Sequence, residues 1–127
     1  MGARVILVED MKALQTSLAE AMVDAASVEV VAVVETAEDA IEAAATQGWD
    51  VIVVDLFLRL GTGHAVLTGL RRHTDRQRVL VLTNHATPAT RQQCLALGAD
   101  AVFDKSTEID DFLNALRGSN AVRQTDL

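Results

Sequence analysis

Five short runs of apolar, largely β-branched residues punctuate the chain: Val5-Ile6-Leu7-Val8, Val30-Val31-Ala32-Val33-Val34, Val51-Ile52-Val53-Val54, Val79-Leu80-Val81-Leu82 and Ala101-Val102-Phe103. None alternates apolar with polar, so each reads as a strand covered on both faces, the ordinary state of a parallel sheet. Parallel neighbours need long crossovers, and the segments between the runs supply them with helical spacing. Leu14, Leu18, Ala21, Met22 and Ala25 fall on one helical stripe. Thr36 is a candidate N-cap for a helix over Ala37–Ala45, with Asp39 three residues on and Gly48 as its stop. Val66, Leu67 and Leu70 sit in a short helix after Gly61-Thr62-Gly63. Thr87-Pro88 reads as N-cap and first-turn proline of a helix to Leu97, ended by Gly98. Ile109, Phe112, Leu113 and Leu116 form the last stripe, behind Ser106 or Thr107 as cap.

Strands and helices in strict alternation predict an α/β fold: a single (βα)5 doubly wound parallel sheet with right-handed crossovers. The common order for five strands is the flavodoxin-like 2-1-3-4-5, with a crevice outside the carboxyl ends of strands one and three. At 127 residues the chain is the length of one domain. No apolar run approaches the roughly 20 residues needed to cross a bilayer, and no signal peptide or myristoylation pattern opens the chain, so it is expected to be cytoplasmic with no membrane partner. The net charge of −7 makes a phosphate backbone a poor direct partner, although Arg71, Arg72, Arg76 and Arg78 cluster. Cys94 is the one cysteine, which leaves no disulfide or cysteine-based metal site and reads as a buried thiol. Gly118 to Leu127 shows no periodicity and is expected to be a flexible tail or linker stub.

The residues closing each strand form a pattern. Strand one ends in Glu9-Asp10, strand three in Asp55, strand four in Thr83-Asn84 and strand five in Asp104-Lys105. Taken singly, each has a plainer reading: an Asp after a strand caps a helix or forms a turn, Thr83 is a β-branched strand residue, and Lys105 is a solvated charge. Together they put three converging carboxylates, a hydroxyl and one of the chain's two lysines at one edge. Carboxylates so close repel unless a cation joins them. Oxygen-only ligands select a hard ion, and a shallow site suits Mg2+ over Ca2+; no His joins the cluster, which argues against zinc. Asp55 can then act as a nucleophile toward phosphorus, with cations and positioning doing most of the catalysis.

In Val8-Glu9-Asp10, Asp50 to Asp55, Val81-Leu82-Thr83 and Leu97-Gly98-Ala99-Asp100 running to Lys105, the chain resembles the response-regulator receiver domains of two-component signalling, over about residues 4 to 117. That resemblance implies a receiver domain over residues 1–117 in which Asp55 accepts a phosphoryl group from a sensor histidine kinase or phosphotransfer protein. It implies Mg2+ held by Asp10, Asp55 and the backbone carbonyl of Phe57, with Glu9 acting mainly through water. Thr83 and Lys105 would meet the phosphoryl group, and the phosphorelay output would be altered contacts with a downstream protein, dimerisation among them. The domain would signal rather than turn over a substrate.

Three positions depart from the family pattern. Val102 stands where many receivers carry an aromatic residue three before the lysine, and Phe103 beside it faces the other way and reads as core. Ser106 replaces a common proline, so a cis bond there is not expected. Asn84 replaces a small residue and could crowd the phosphoryl pocket. Phe57 and His85 occupy the positions that tend to govern water access; bulk at Phe57 predicts a long-lived phosphoryl state, while His85 could either orient the attacking water or shield against it. The main rival is a pseudo-receiver that binds its partner without phosphorylation. A haloacid-dehalogenase-like phosphohydrolase would need an acid where Phe57 stands, and a flavin protein would need a phosphate loop where Glu9-Asp10 puts negative charge.

Overall fold

The computed structural model describes residues 2–58, 60–70 and 73–125, with side chains described through Asn120. Arg71 and Arg72 of the expected basic cluster, and the last two residues of the expected tail, lie outside the described residues. The elements alternate as expected: β1 (Arg4–Val8), α1 (Lys12–Ala26), β2 (Glu29–Val34), α2 (Ala37–Thr46), β3 (Val51–Val54), α3 (Gly63–Gly69), β4 (Arg78–Thr83), α4 (Pro88–Ala96), β5 (Ala101–Asp104) and α5 (Ile109–Thr125). Every strand pair is parallel, and the order is β2-β1-β3-β4-β5.

The strand period of two sorts the core into two layers. Ile6, Val8, Ile52 and Val54 face one side, with Ala40 of α2, Val66 and Leu67 of α3 and Cys94 of α4. Val5, Leu7, Val51 and Val53 face the other, with Met22 of α1 and Phe112 and Leu116 of α5. Burying a side chain such as Phe112 or Leu116 fully is worth about 1.5–3 kcal/mol, and both are inaccessible to solvent. Cys94 is equally buried, and burial raises its thiol pKa, so it packs as an apolar side chain.

Local chemistry sets the helix ends. The hydroxyls of Thr36, Thr62 and Thr87 accept backbone N–H bonds from Asp39, Ala65 and Thr90, so each caps its helix. Gly98 ends α4 at φ 106°, a conformation that favours glycine. Gly63 answers a different need: a Cβ there would lie 2.4 Å from the carbonyl oxygen of Asp55, so only glycine lets α3 start this close to the end of β3.

Three expectations need correction. Not every strand is covered on both faces: β1, β3 and β4 are, but β2 and β5 are the sheet edges, and Val33 of β2 is 42% exposed. Neither Ser106 nor Thr107 caps α5. The Asp104 carboxylate takes both of their N–H groups in a turn of its own, and Glu108 stands at the helix start. The segment from Gly118 is not an aperiodic tail up to Thr125, because α5 continues through it. Ser119 is buried, and Asn120 accepts the Ala3 N–H at 2.7 Å while donating to the Ala26 carbonyl. Those tertiary bonds outweigh the helix-interior glycine, which costs about 1 kcal/mol. Among the described residues no peptide bond is cis, and no helix is long and apolar enough to cross a membrane.

Candidate functional site

Strand register builds the site. Val8 and Val54 are direct partners across β1 and β3, so the residues that follow them, Glu9 and Asp55, emerge side by side at the carboxyl edge. The Asp55 N–H continues the ladder to the Val8 carbonyl (3.1 Å), and the Glu9 N–H bonds the Val34 carbonyl (3.0 Å). Thr83 pairs with Asp104 at the end of β4 and β5, and the Lys105 N–H bonds the Thr83 carbonyl at 3.0 Å, bringing the lysine in from the far side.

Glu9, Asp10 and Asp55 each present a carboxylate oxygen within 4.8 Å of the others. Lys105 Nζ donates to Glu9 Oε1 at 2.7 Å and to Asp55 Oδ2 at 3.1 Å. Glu9 has no solvent exposure at all, and its second oxygen accepts the Met11 N–H at 3.3 Å. Its burial lifts the Glu9 carboxyl above the usual carboxylate range, with Asp55 adding repulsion, although Lys105 pulls the other way. Burial works to lower the Lys105 ammonium too, but the hydrogen bonds and charges of Glu9 and Asp55 prevail and hold it above the ordinary lysine value. An oxygen-only donor set around a carboxylate excess is chemistry for a hard divalent cation. Glu9, Asp10 and Asp55 are the residues that fit one.

Above this base lies a pocket of about 150 Å³ lined by Asp10, Met11, Leu14, Asp55, Phe57, Asn84, His85 and Lys105. Phe57 is 58% exposed and its ring meets that of His85 at 4.4 Å, so the two aromatic groups cover one side of the mouth. Asn84 is on the rim, exposed to solvent.

Of the residues singled out in the sequence, the structure therefore gathers Glu9, Asp10, Asp55, Phe57, Asn84, His85 and Lys105. Thr83 lies close in the chain but is fully buried, and its hydroxyl accepts the His85 N–H at 3.2 Å rather than lining the pocket. Val102 is core, on the α4 side of the sheet, while Phe103 packs edge-on against Phe112 at 5.9 Å on the other. Sequence reasoning missed Met11 and Leu14, which line the pocket from the start of α1, and Gln15, whose side chain holds the Glu9 carbonyl at 2.6 Å. Their closeness to Glu9-Asp10 in the chain was the available signal. It also missed Arg91, which has no sequence signal pointing to this region.

Residues 5–117 match the response regulator receiver domain family. The acid tolerance regulatory protein ActR of Rhizobium meliloti is 33% identical over 111 residues, covering 87% of this chain and 56% of that protein. The chain thus spans about half the length of the curated relatives it matches. Among solved structures, the receiver domain of a Pseudomonas aeruginosa sensor histidine kinase, with magnesium coordinated in its active-site cleft, superposes at a TM-score of 0.74 with 27% identity, covering 93% of this chain and 99% of that one. A DNA-binding response regulator of the LuxR family from Staphylococcus aureus reaches a TM-score of 0.82 at 19% identity, covering 93% of this chain and 98% of that one, a likeness of fold. The crevice at the carboxyl edge, argued from strand order alone, coincides with a family match over most of the length: the chain belongs to the response regulator receiver domains.

Proposed function

We propose that Asp55 takes a phosphoryl group from the phosphohistidine of a sensor kinase or phosphotransfer protein, and that the modified domain changes its contacts with a downstream protein. The observation that carries this reading is the carboxylate trio of Glu9, Asp10 and Asp55 with the Lys105 ammonium across two of its members. A carboxylate oxygen of Asp55 forms the new bond to phosphorus as the phosphorus–nitrogen bond breaks and the imidazole leaves with the electron pair. Glu9, Asp10, Asp55 and the Phe57 carbonyl are the groups to hold Mg2+, which when bound supplies positive charge to the oxygens of a transferring phosphoryl group.

The residues of the chain itself position and exclude. Lys105, released from Asp55 by the new bond, pairs with a phosphoryl oxygen, and the Thr83 hydroxyl turns to donate its proton to another. Phe57 and His85 shade the approach of water to Asp55, which supports a slow loss of the phosphoryl group. A cytoplasmic setting and a signalling rather than turnover role belong to the same reading.

Intact-protein mass spectrometry after Mg2+ and acetyl phosphate tests it. The expected result is one added phosphoryl mass, lost in Asp55→Asn and lost when Mg2+ is chelated. An unmodified protein would favour the pseudo-receiver alternative, in which the acids are vestigial. On the modified protein, Phe57→Ala is expected to shorten the phosphoryl lifetime; an unchanged phosphate-release time course removes the shading role.

A further inference from the structure

Arg91, in the first turns of α4, makes three side-chain hydrogen bonds outside the acidic pocket. Its Nε donates to the Ala86 carbonyl at 3.0 Å, one terminal nitrogen donates to the Val102 carbonyl at 3.0 Å, and the other meets Glu108 Oε1. That same Glu108 oxygen accepts the Asp104 N–H at 2.9 Å. The hydrogen bond from Arg91 holds the Glu108 carboxyl below the usual carboxylate range, with the Asp104 N–H assisting.

The groups joined in this way lie on two limbs. Ala86 belongs to the loop that leaves Thr83, three residues on. Val102, Asp104 and Glu108 belong to the limb that carries Lys105. The ladder between β4 and β5 closes with the Lys105 N–H on the Thr83 carbonyl at 3.0 Å, and among the described residues no backbone hydrogen bond joins the loop beyond Thr83 to the turn beyond Lys105. One planar fork spans that gap, and a guanidinium is suited to it because its donors diverge in fixed directions.

We infer that Arg91, acting with Glu108, is a positioning residue that locks the loop after Thr83 to the turn bearing Lys105, so that the two respond to an anion at Asp55 as one unit. The inference rests on the function proposed above. A lysine at 91 keeps the charge but not the fork, and a glutamine at 108 keeps an acceptor for the Asp104 N–H but not the ion pair.

The test is amide NMR of the full chain titrated with beryllofluoride and Mg2+, a phosphoryl mimic, in the wild type, Arg91→Lys and Glu108→Gln, each first shown to unfold cooperatively. Because Glu108 is partly exposed, Glu108→Gln keeps the test open should Arg91→Lys fail to fold. In the wild type, amides of residues 84–87, 89–91 and 104–108 are expected to shift together with one midpoint. In both variants Lys105 and the other neighbours of Asp55 still shift, while the response of residues 106–108 falls about threefold or more, the scale of a coupling loss of this kind. Full, concerted shifts in both variants would overturn the inference and leave the proposed function standing. A wild type that ignores the mimic would overturn the proposed function, and this inference with it.

Discussion

At the amino edge of the sheet Asp50 and Asp100 stand one residue ahead of β3 and β5; at the carboxyl edge Glu9 and Asp10 follow β1, and Asp55 follows β3. Each amino-edge acid makes a two-point bond, backbone and side chain together, to a residue of a neighbouring strand. Asp50 donates its N–H to the Arg4 carbonyl (2.8 Å) and takes the Arg4 N–H on Oδ2 (2.7 Å). Asp100 repeats the device on Val79, at 2.8 and 2.7 Å, and adds His73 Nε2 at 2.9 Å. The carboxyl-edge acids instead face one another, with one ammonium between two of them. An acid beside a strand is structural when its oxygens meet backbone donors that the sheet leaves over, and it is available for chemistry when its oxygens meet other oxygens. Stability is given up at the second edge and recovered at the first.

Neutralising an acid should therefore act in opposite directions at the two edges, while removing the one cation between the carboxyl-edge acids destabilises. The largest effect is expected at Lys105. Lys105→Ala leaves Glu9 buried without its counter-charge and should cost about 3 kcal/mol in urea unfolding with chelator present. A loss below that of an ordinary surface substitution would mean that the lysine is not what holds the acids together. The same residue sets an alkaline limit. Its folded pKa lies above the ordinary 10.5, so its contribution is complete below that value and is lost as pH rises through the folded value. Lys105→Ala should lack this alkaline loss. Glu9, raised instead, opposes folding increasingly as pH climbs past its ordinary 4.5.

A smaller loss is expected at the amino edge, where Asp100→Ala strips the Val79 N–H and His73 of their acceptor at about 1–2 kcal/mol. It should leave reactivity toward acetyl phosphate unchanged, and a large fall there would erase the distinction between the edges. The smallest effect carries the opposite sign. Asp10→Asn removes one charge from the trio and should stabilise the metal-free protein by roughly 0.5 kcal/mol, as relief of like-charge repulsion does. Destabilisation by Asp10→Asn would show that this acid, like Asp100, is structural.

Much of the site was legible because strand ends in a parallel sheet converge wherever they fall in the sequence. Glu9, Asp10, Asp55 and Lys105 needed only the strand order to be brought together. What Asp50 and Asp100 do was not legible: each stood within the matched motifs, but a two-point bond to Arg4 or Val79 depends on register, which no single strand specifies. Glu9 as the nearer partner of Lys105, the Thr83 hydroxyl turned to His85 and the span of Arg91 are of the same kind. Each depends on where a side chain finds its acceptor after packing, and a flexible side chain has several in reach.

Apolar runs and helical stripes determined the alternation, the parallel sheet and the edge at which chemistry gathers, because side-chain periodicity and crossover length follow directly from residue order. Only tertiary structure decided which strands are covered on both faces and where α5 ends, because exposure of β2 and β5 is a property of their place in the sheet. Helix α5 runs past Gly118 because Asn120 finds the Ala3 N–H and the Ala26 carbonyl, partners more than ninety residues away. A local pattern specifies what a segment can form; the partners it meets on folding decide how far it extends.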